Sequence, residues 1–399
     1  MVLKSSTQIP DQPILVAGLN SCKWLSFGCK VETIDLEVAR NRISRNVIPI
    51  VCHAPTAARR LRTAPFPALD VLELFAFVHP AKFLLPTPIG IAEALGLTLP
   101  NSLESATASL ADSVRVLLDQ LNQMRSVNED ITAIATAMTS ANWPWGSVVL
   151  SALGLPEGTH STAARQSLKV WTRLPEWEEG PPSPEPDNQI ISPNETLTRL
   201  GDLLGNGAEK RQGQKDFAET CTAAFKPREK HGEPHVVLAE AGTGIGKTIG
   251  YVAPASLWAE KNKGTVWIST FTRNLQRQLD AELGRLFPNQ VEKQSRVVIR
   301  KGRENYLCLL NLSDAVSRLT TKDNSNAIGL GLLARWASKT RDGDMIGGDF
   351  PAWLIDILGA HLTINMTDKL GECVYSACDH YRKCFIERNV RRAPAADIV

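Results

Sequence analysis

The stretch His235 to Thr248, HVVLAEAGTGIGKT, limits what this chain can fold into more than any other. Val236, Val237 and Leu238 form a β-branched-rich run short enough for a buried strand, which breaks into a loop and ends in Lys-Thr. Glycines at 242, 244 and 246 admit backbone angles that a Cβ would forbid, so the loop can turn back tightly. Its amide N–H groups then converge at the N-terminus of the following helix and make an anion cradle. Lys247 is placed to reach β/γ-phosphates and Thr248 to ligate Mg²⁺, with Ala241, Gly242, Thr243, Gly244, Ile245 and Gly246 wrapping the phosphates. The spelling is A-x-x-x-x-G-K-T, with Ala241 where the commoner pattern has Gly, and an ordinary strand-to-helix turn is the alternative reading.

The flanking sequence extends this pattern. Gly264 to Thr270 reads as a buried strand and Val297 to Ile299 as another, so strand, loop, helix and strand form a βαβ unit with a parallel sheet. Pro254 is expected to kink or end the helix that Gly246 opens. Thr270, Thr272 and Asn274 fall at the C-terminal end of a strand, where such sheets bind ligands, and their hydroxyl and amide groups suit a sugar–phosphate backbone. A solvated helix face is the plain alternative. Upstream, Arg211-Gln212-Gly213-Gln214 opens a helix running through Phe225, and a glutamine amide such as that of Gln214 can donate and accept at an adenine edge.

At 399 residues the chain is expected to hold two or three domains. A mixed α/β domain covers 1–174, a linker 175–200, and an α/β nucleotide-binding domain 201–399. Short strands are expected at Pro13 to Ala17 and Val47 to Cys52, with helices over Asp35–Ile43, Ala57–Leu61, Ile89–Leu95, Leu103–Leu121 and Glu129–Met138. Five prolines between Pro175 and Pro186 predict an extended, acidic, semi-rigid spacer. Ser192-Pro193-Asn194-Glu195 then starts a helix toward Leu204. With 43% hydrophobic and 22% charged residues and no long apolar run, the composition is that of a cytoplasmic protein without a membrane span. A net charge of +2 requires any nucleic-acid surface to be local.

Of eight cysteines, Cys308, Cys373, Cys378 and Cys384 lie in the last quarter, the final three spaced C-x4-C-x5-C. Four thiolates match the ligand count of a [4Fe–4S] cluster, while a Cys₄ zinc site, or zinc with His361 or His380 replacing one thiol, is equally open on spacing alone. Lys301, Arg303, Arg382, Lys383, Arg388, Arg391 and Arg392 surround them, interleaved with Tyr306, Tyr381 and Phe385. That is a reasonable surface for single-stranded nucleic acid, where cations track phosphates and aromatics stack on bases.

Two resemblances follow. IVCHAPTAARRL, ALDVLELFAFVHP and ESATASLADSVRVLLDQL are similar in layout to the later motifs of DnaQ-like 3′–5′ exonucleases. Asp70 and Asp112 map onto acidic family positions and Asp35-Leu36-Glu37 mimics the first motif, but no aspartate lies between Ala54 and Leu69, so a catalytically silent relic or scaffold is expected. RQGQ-x2-F, AEAGTGIGKT, WISTFTRNLQRQL, KGRENYLC and C-x4-C-x5-C, occurring in that order over about 205–399, resemble the first motor domain of DinG/XPD-type superfamily 2 helicases. The resemblance implies a RecA-like motor with a helical iron–sulfur insertion at about 301–390, and ATP-driven 5′–3′ translocation on single-stranded DNA. By the same resemblance Gln214 and Arg211 would read adenine, and Gly244, Gly246, Lys247 and Thr248 would hold phosphates and Mg²⁺. Thr270, Thr272 and Asn274 would lie near DNA, and Cys308, Cys373, Cys378 and Cys384 would hold a [4Fe–4S] cluster. No Asp-Glu-x-His box occurs and the family's second motor domain is not seen, so an incomplete gene product with little hydrolysis of its own is expected.

Overall fold

The computed structural model describes the chain except residues 1–8, 27, 29, 46, 125–128, 157–163, 181–183, 206, 208, 210, 228–229, 231, 321–323 and 370. Cys29 and the Thr162 end of the segment before Trp171 thus lie outside the described residues. The chain divides into two compact units, one of residues 1–176 and 302–385, the other of 177–301 and 386–399.

The first unit is built on a five-stranded mixed sheet of β1 (Ile14–Ala17), β2 (Cys22–Leu25), β3 (Glu32–Ile34), β4 (Ile50–Val51) and β5 (Leu69–Asp70), in the order β3-β2-β1-β4-β5. β1 runs antiparallel to β2 and parallel to β4. Alternation along β1 separates two cores. Leu15 and Ala17 join Cys22, Trp24 and Val51 beneath the helices Leu36–Ser44 and Ala54–Leu61. Ile14 and Val16 belong to the large cluster on the other face. That cluster is formed by the helices Val71–Val78, Leu103–Met124 and Glu129–Thr139 together with Leu309–Arg318, Ala327–Ala337 and Leu354–Leu358 of the later segment. The apolar run Val71–Val78, buried at every position, is a helix capped by Asp70, and the Trp145 indole donates to the Asp70 carbonyl at 2.7 Å.

The second unit is helical around a smaller core. Pro193–Leu204 begins with a reciprocal capping box, the Ser192 hydroxyl taking the Glu195 amide while the Glu195 carboxylate takes the Ser192 amide. It packs with Gln212–Thr222, Lys247–Asn262 and Arg273–Leu286 through Leu200, Ala218, Val252 and Leu283. Pro254 sits inside Lys247–Asn262 without ending it. Removing one donor costs that helix a single hydrogen bond, and its buried face, with Ile249, Val252, Ala253 and Leu257, holds the remaining turns in place.

The strands expected around the glycine loop are only partly formed. Val236 and Leu238 are 76% and 93% exposed, in a segment that forms no strand pairing among the described residues. A strand is buried only when flanked, and here no described segment lies alongside this one. Val266 and Val297 each form one parallel bridge to Ile398, which stands between them. The parallel direction is as expected, and the pairing is carried by residues 396–399. The latter part of the proline-rich segment is tied down: the Asp187 amide donates to the Asn262 carbonyl and the Gln189 amide to Asn262 Oδ1. No helix among the described residues is long and apolar enough to cross a membrane.

Candidate functional site

The glycine loop joins the exposed 236–240 segment to the helix Lys247–Asn262. Gly244 and Gly246 adopt φ of +81° and +87°, the left-handed region that glycine enters freely, and this turns the chain into the helix. The loop from Gly242 to Gly244 faces solvent. Lys247 Nζ lies back over the loop and donates to the Ala241 and Gly242 carbonyls at 2.9 and 2.8 Å. Arg211 Nη1 donates to the Gly244 carbonyl at 2.5 Å, and Gln214 Nε2 to the Gly246 carbonyl at 3.0 Å. The two upstream residues singled out by the sequence are therefore brought onto the loop itself. Gln214 is buried and its amide supports the turn at Gly246, where a Cβ would stand 2.2 Å from Gln214 Nε2. Tyr251, one turn along the helix, interacts with the Thr248 hydroxyl, a contact sequence reasoning missed although the i, i+3 spacing signals it.

Thr272 caps Arg273–Leu286 by accepting from the Leu275 amide at 3.2 Å, and Asn274 is exposed in its first turn. Thr270 faces a cavity of about 260 Å³ with an apolar floor that includes Ile268, Leu279 and Ile398. Gln276 and Arg300 stand at its edge, where Gln276 Nε2 donates to the Arg300 carbonyl and the Arg300 guanidinium lies 5.4 Å from the Trp267 ring.

The cysteine segment belongs to the first unit. Leu307 bridges Thr367, and the Cys308 amide donates to the Met366 carbonyl at 2.8 Å, which sets Cys308 beside the stretch leading into the other three cysteines. Burial raises the Cys308 thiol to about 11; the amides of Asn311 and Leu310 oppose this, and the charges of Asp368 and Cys384 add to it. Cys378 is raised by burial too, with contributions from Cys373 and Asp368. Arg303 Nη1 lies 3.4 Å from Cys373 Sγ, the Tyr375 amide donates to the same sulfur at 3.5 Å, and the Arg303 guanidinium sits 4.6 Å from the Tyr375 ring. A guanidinium and a main-chain N–H aimed at one sulfur favour the thiolate form of Cys373. No three His, Cys, Asp or Glu side chains among the described residues are grouped to hold a single ion.

Of the aromatics expected to stack on bases, Tyr306 and Phe385 are buried, Phe385 inside the large core, because helical and strand pairing turned them inward. Tyr375, passed over in the sequence, is exposed. Of the carboxylates expected to map onto exonuclease positions, Asp70 caps a helix: its carboxylate takes the Ala54 amide at 2.7 Å and the Leu72 amide at 2.9 Å. Asp112 is exposed and paired with Arg115, and Asp35 caps a helix.

No protein-family model and no solved structure matches the chain. Curated proteins do. It is 34% identical over 201 residues to the ATP-dependent DNA helicase YoaA of Escherichia coli, covering 48% of this chain and 28% of that protein. It is 31% identical over 210 residues to the ATP-dependent helicase DinG of Mycobacterium tuberculosis, covering 48% of this chain and 30% of that protein. With the 3′-5′ exonuclease DinG of Bacillus subtilis it shares 36% identity over 151 residues, 37% of this chain and 15% of that protein. The chain thus matches less than a third of the length of these curated relatives. Across about half of its own length, this chain is related to the DinG and YoaA ATP-dependent helicases.

Proposed function

We propose that this chain carries the nucleotide-binding part of a DinG-type ATP-dependent DNA helicase. Its 201–399 portion would be RecA-like, and the 301–390 stretch would hold a [4Fe–4S] cluster. The observation that carries the reading is the loop 241–248: two glycines in the left-handed region at a helix N-terminus, with Lys247 held on the loop's own carbonyls. A triphosphate offers Lys247 Nζ a better partner than neutral carbonyls, so binding moves it from Ala241 and Gly242 onto phosphate oxygens. The amides from Gly242 to Lys247 would hold the remaining charge and Thr248 would ligate Mg²⁺, which would supply neutralisation of phosphate charge. Arg211 and Gln214, which rest on the Gly244 and Gly246 carbonyls, are assigned to reading adenine once nucleotide is bound. Thr270, Thr272 and Asn274 are assigned to the single-stranded DNA backbone, and Cys308, Cys373, Cys378 and Cys384 to the cluster, which supplies an anionic, redox-active structural centre. Arg303 and the Tyr375 amide stabilise the thiolate of Cys373 there.

The test is nucleotide-dependent thermal stabilisation of the 399-residue chain with Mg²⁺·ATP. Lys247→Ala is expected to abolish the shift while leaving iron and sulfide content unchanged. A full shift in Lys247→Ala would overturn the assignment. A second reading is nucleotide and DNA binding without turnover. It is checked by DNA-stimulated phosphate release, expected near background.

A further inference from the structure

Residues 302–385 pack into the same core as residues 1–176, although more than a hundred residues separate them in the chain. The contact is polar as well as apolar: Arg165 Nε of the earlier segment donates to the Leu319 carbonyl, and four donors of the later segment end on main-chain carbonyls of the earlier one. Arg335 Nε donates to the Phe77 carbonyl at 2.9 Å, in the last turn of Val71–Val78. Asn324 Nδ2 donates to the Ser140 carbonyl at 2.9 Å, just past Glu129–Thr139, and Trp353 Nε1 to the Leu84 carbonyl at 3.0 Å. Helix C-terminal carbonyls have no partner within their own helix, and burying them without donors is costly. The helices Glu129–Thr139 and Ala327–Ala337 meet at a glycine: a Cβ on Gly331 would stand 2.4 Å from Met138 Cγ. The same seating reaches the cysteines. The Trp171 ring stands edge-on to His380 at 5.8 Å, and Lys383 Nζ donates to the Thr172 carbonyl at 3.0 Å, so both contacts hold the loop between Cys378 and Cys384.

We infer that residues 1–176 are the structural seat of the cysteine site, with Trp171 and Thr172 as positioning residues for the Cys378–Cys384 loop. On this account the region that looks like a silent nuclease is retained for what it holds. The inference does not depend on which metal or cluster the thiols take, and its test is done without one.

The full chain is stripped of metal under reducing, anaerobic conditions, and the labelling rate of each cysteine by N-ethylmaleimide is read by peptide mapping. Trp171→Ala is expected to raise labelling of Cys378 and Cys384 about fivefold, Trp171→Phe to restore the wild-type rate by keeping a ring, and Cys221 in the other unit to stay unchanged. Lys383→Met, at a half-buried position, gives a milder rise of about threefold and serves if Trp171→Ala does not fold. Gly331→Leu, distant in sequence from every cysteine, is expected to speed hydrogen exchange in Glu129–Thr139 and labelling of Cys378 and Cys384 together. Wild-type labelling in Trp171→Ala, or in Lys383→Met where the first variant is unfolded, would overturn the inference. So would faster exchange in Glu129–Thr139 of Gly331→Leu with unchanged cysteines.

Discussion

Glu73 offers the sharpest test of how the first unit is held together. It lies in the helix Val71–Val78, all of which is buried, one turn from Asp70 at the cap. Burial, and then the charge of Asp70, raises the Glu73 carboxyl from 4.5 to about 8. Burial likewise raises Asp70 from 3.8 to about 7, even though the amides of Ala54, Leu72 and Glu73 favour its charged form. Two neighbouring carboxyls of this kind titrate as a pair, and near neutrality the pair retains about one proton. The folded chain therefore binds more protons than the unfolded chain between pH 4.5 and 8. Stability contributed by the protonated pair is complete below pH 4, falls progressively as the pH rises from about 4.5, and is fully lost once the pH has risen through the folded values of about 7 and 8. At about 1.4 kcal/mol per pH unit per proton, full ionisation of Glu73 costs at most about 5 kcal/mol. Glu73→Gln keeps the shape and removes the charge. The variant should match wild type at pH 5 and exceed it by several kcal/mol at pH 8.5. Pulse proteolysis in urea, following the peptide that contains Val71–Val78, measures this for the first unit alone. An equal gap between variant and wild type at both pH values would mean that Glu73 is not held protonated by its surroundings.

Three shorter predictions test other joints. Gly246→Ala puts a methyl group against the Gln214 amide in a residue at φ +87°, so nucleotide-dependent stabilisation should vanish at a cost of about 1–3 kcal/mol to the second unit, read by calorimetry. Trp145→Phe leaves the Asp70 carbonyl without its indole donor in a buried place and should cost about 1–3 kcal/mol in urea unfolding of the first unit. Asn262→Ala removes the side-chain partner of both the amide and the carbonyl of Gln189, and limited proteolysis should then cut between 184 and 191 several times faster.

Local features of the fold were legible where a single helix or cap carries its own signal. The helices expected from Asp35, over Ile89–Leu95, from Leu103 and after Ser192 all form, with Asp35, the αL Gly96 and Ser192 found as caps. So do the left-handed turns at Gly244 and Gly246. The hairpin partners β2 and β3 were missed because Cys22–Leu25 and Glu32–Ile34 are short, with exposed residues that blur the alternation. The Val236–Leu238 strand was misjudged as buried for the opposite reason. Apolar, β-branched composition says that a segment can be flanked, and only a neighbouring strand makes it so.

The grouping of the cysteines shows why pattern alone stops short of a site. Spacing gave the ligand count, but the Leu307–Thr367 bridge sets Cys308 only beside the stretch leading into the other cysteines, and 302–385 shares its core with helices more than a hundred residues upstream. A helix such as Ala327–Ala337, buried along nearly its whole length, advertises that it needs partners without naming them. Here the partners come from the 1–176 region, whose Asp70, Asp112 and Asp35 are all engaged in caps or surface pairing. A domain whose acidic residues are occupied in this way, and whose helix-end carbonyls are met by the cysteine-bearing segment, is better explained by what it supports than by the chemistry its layout resembles.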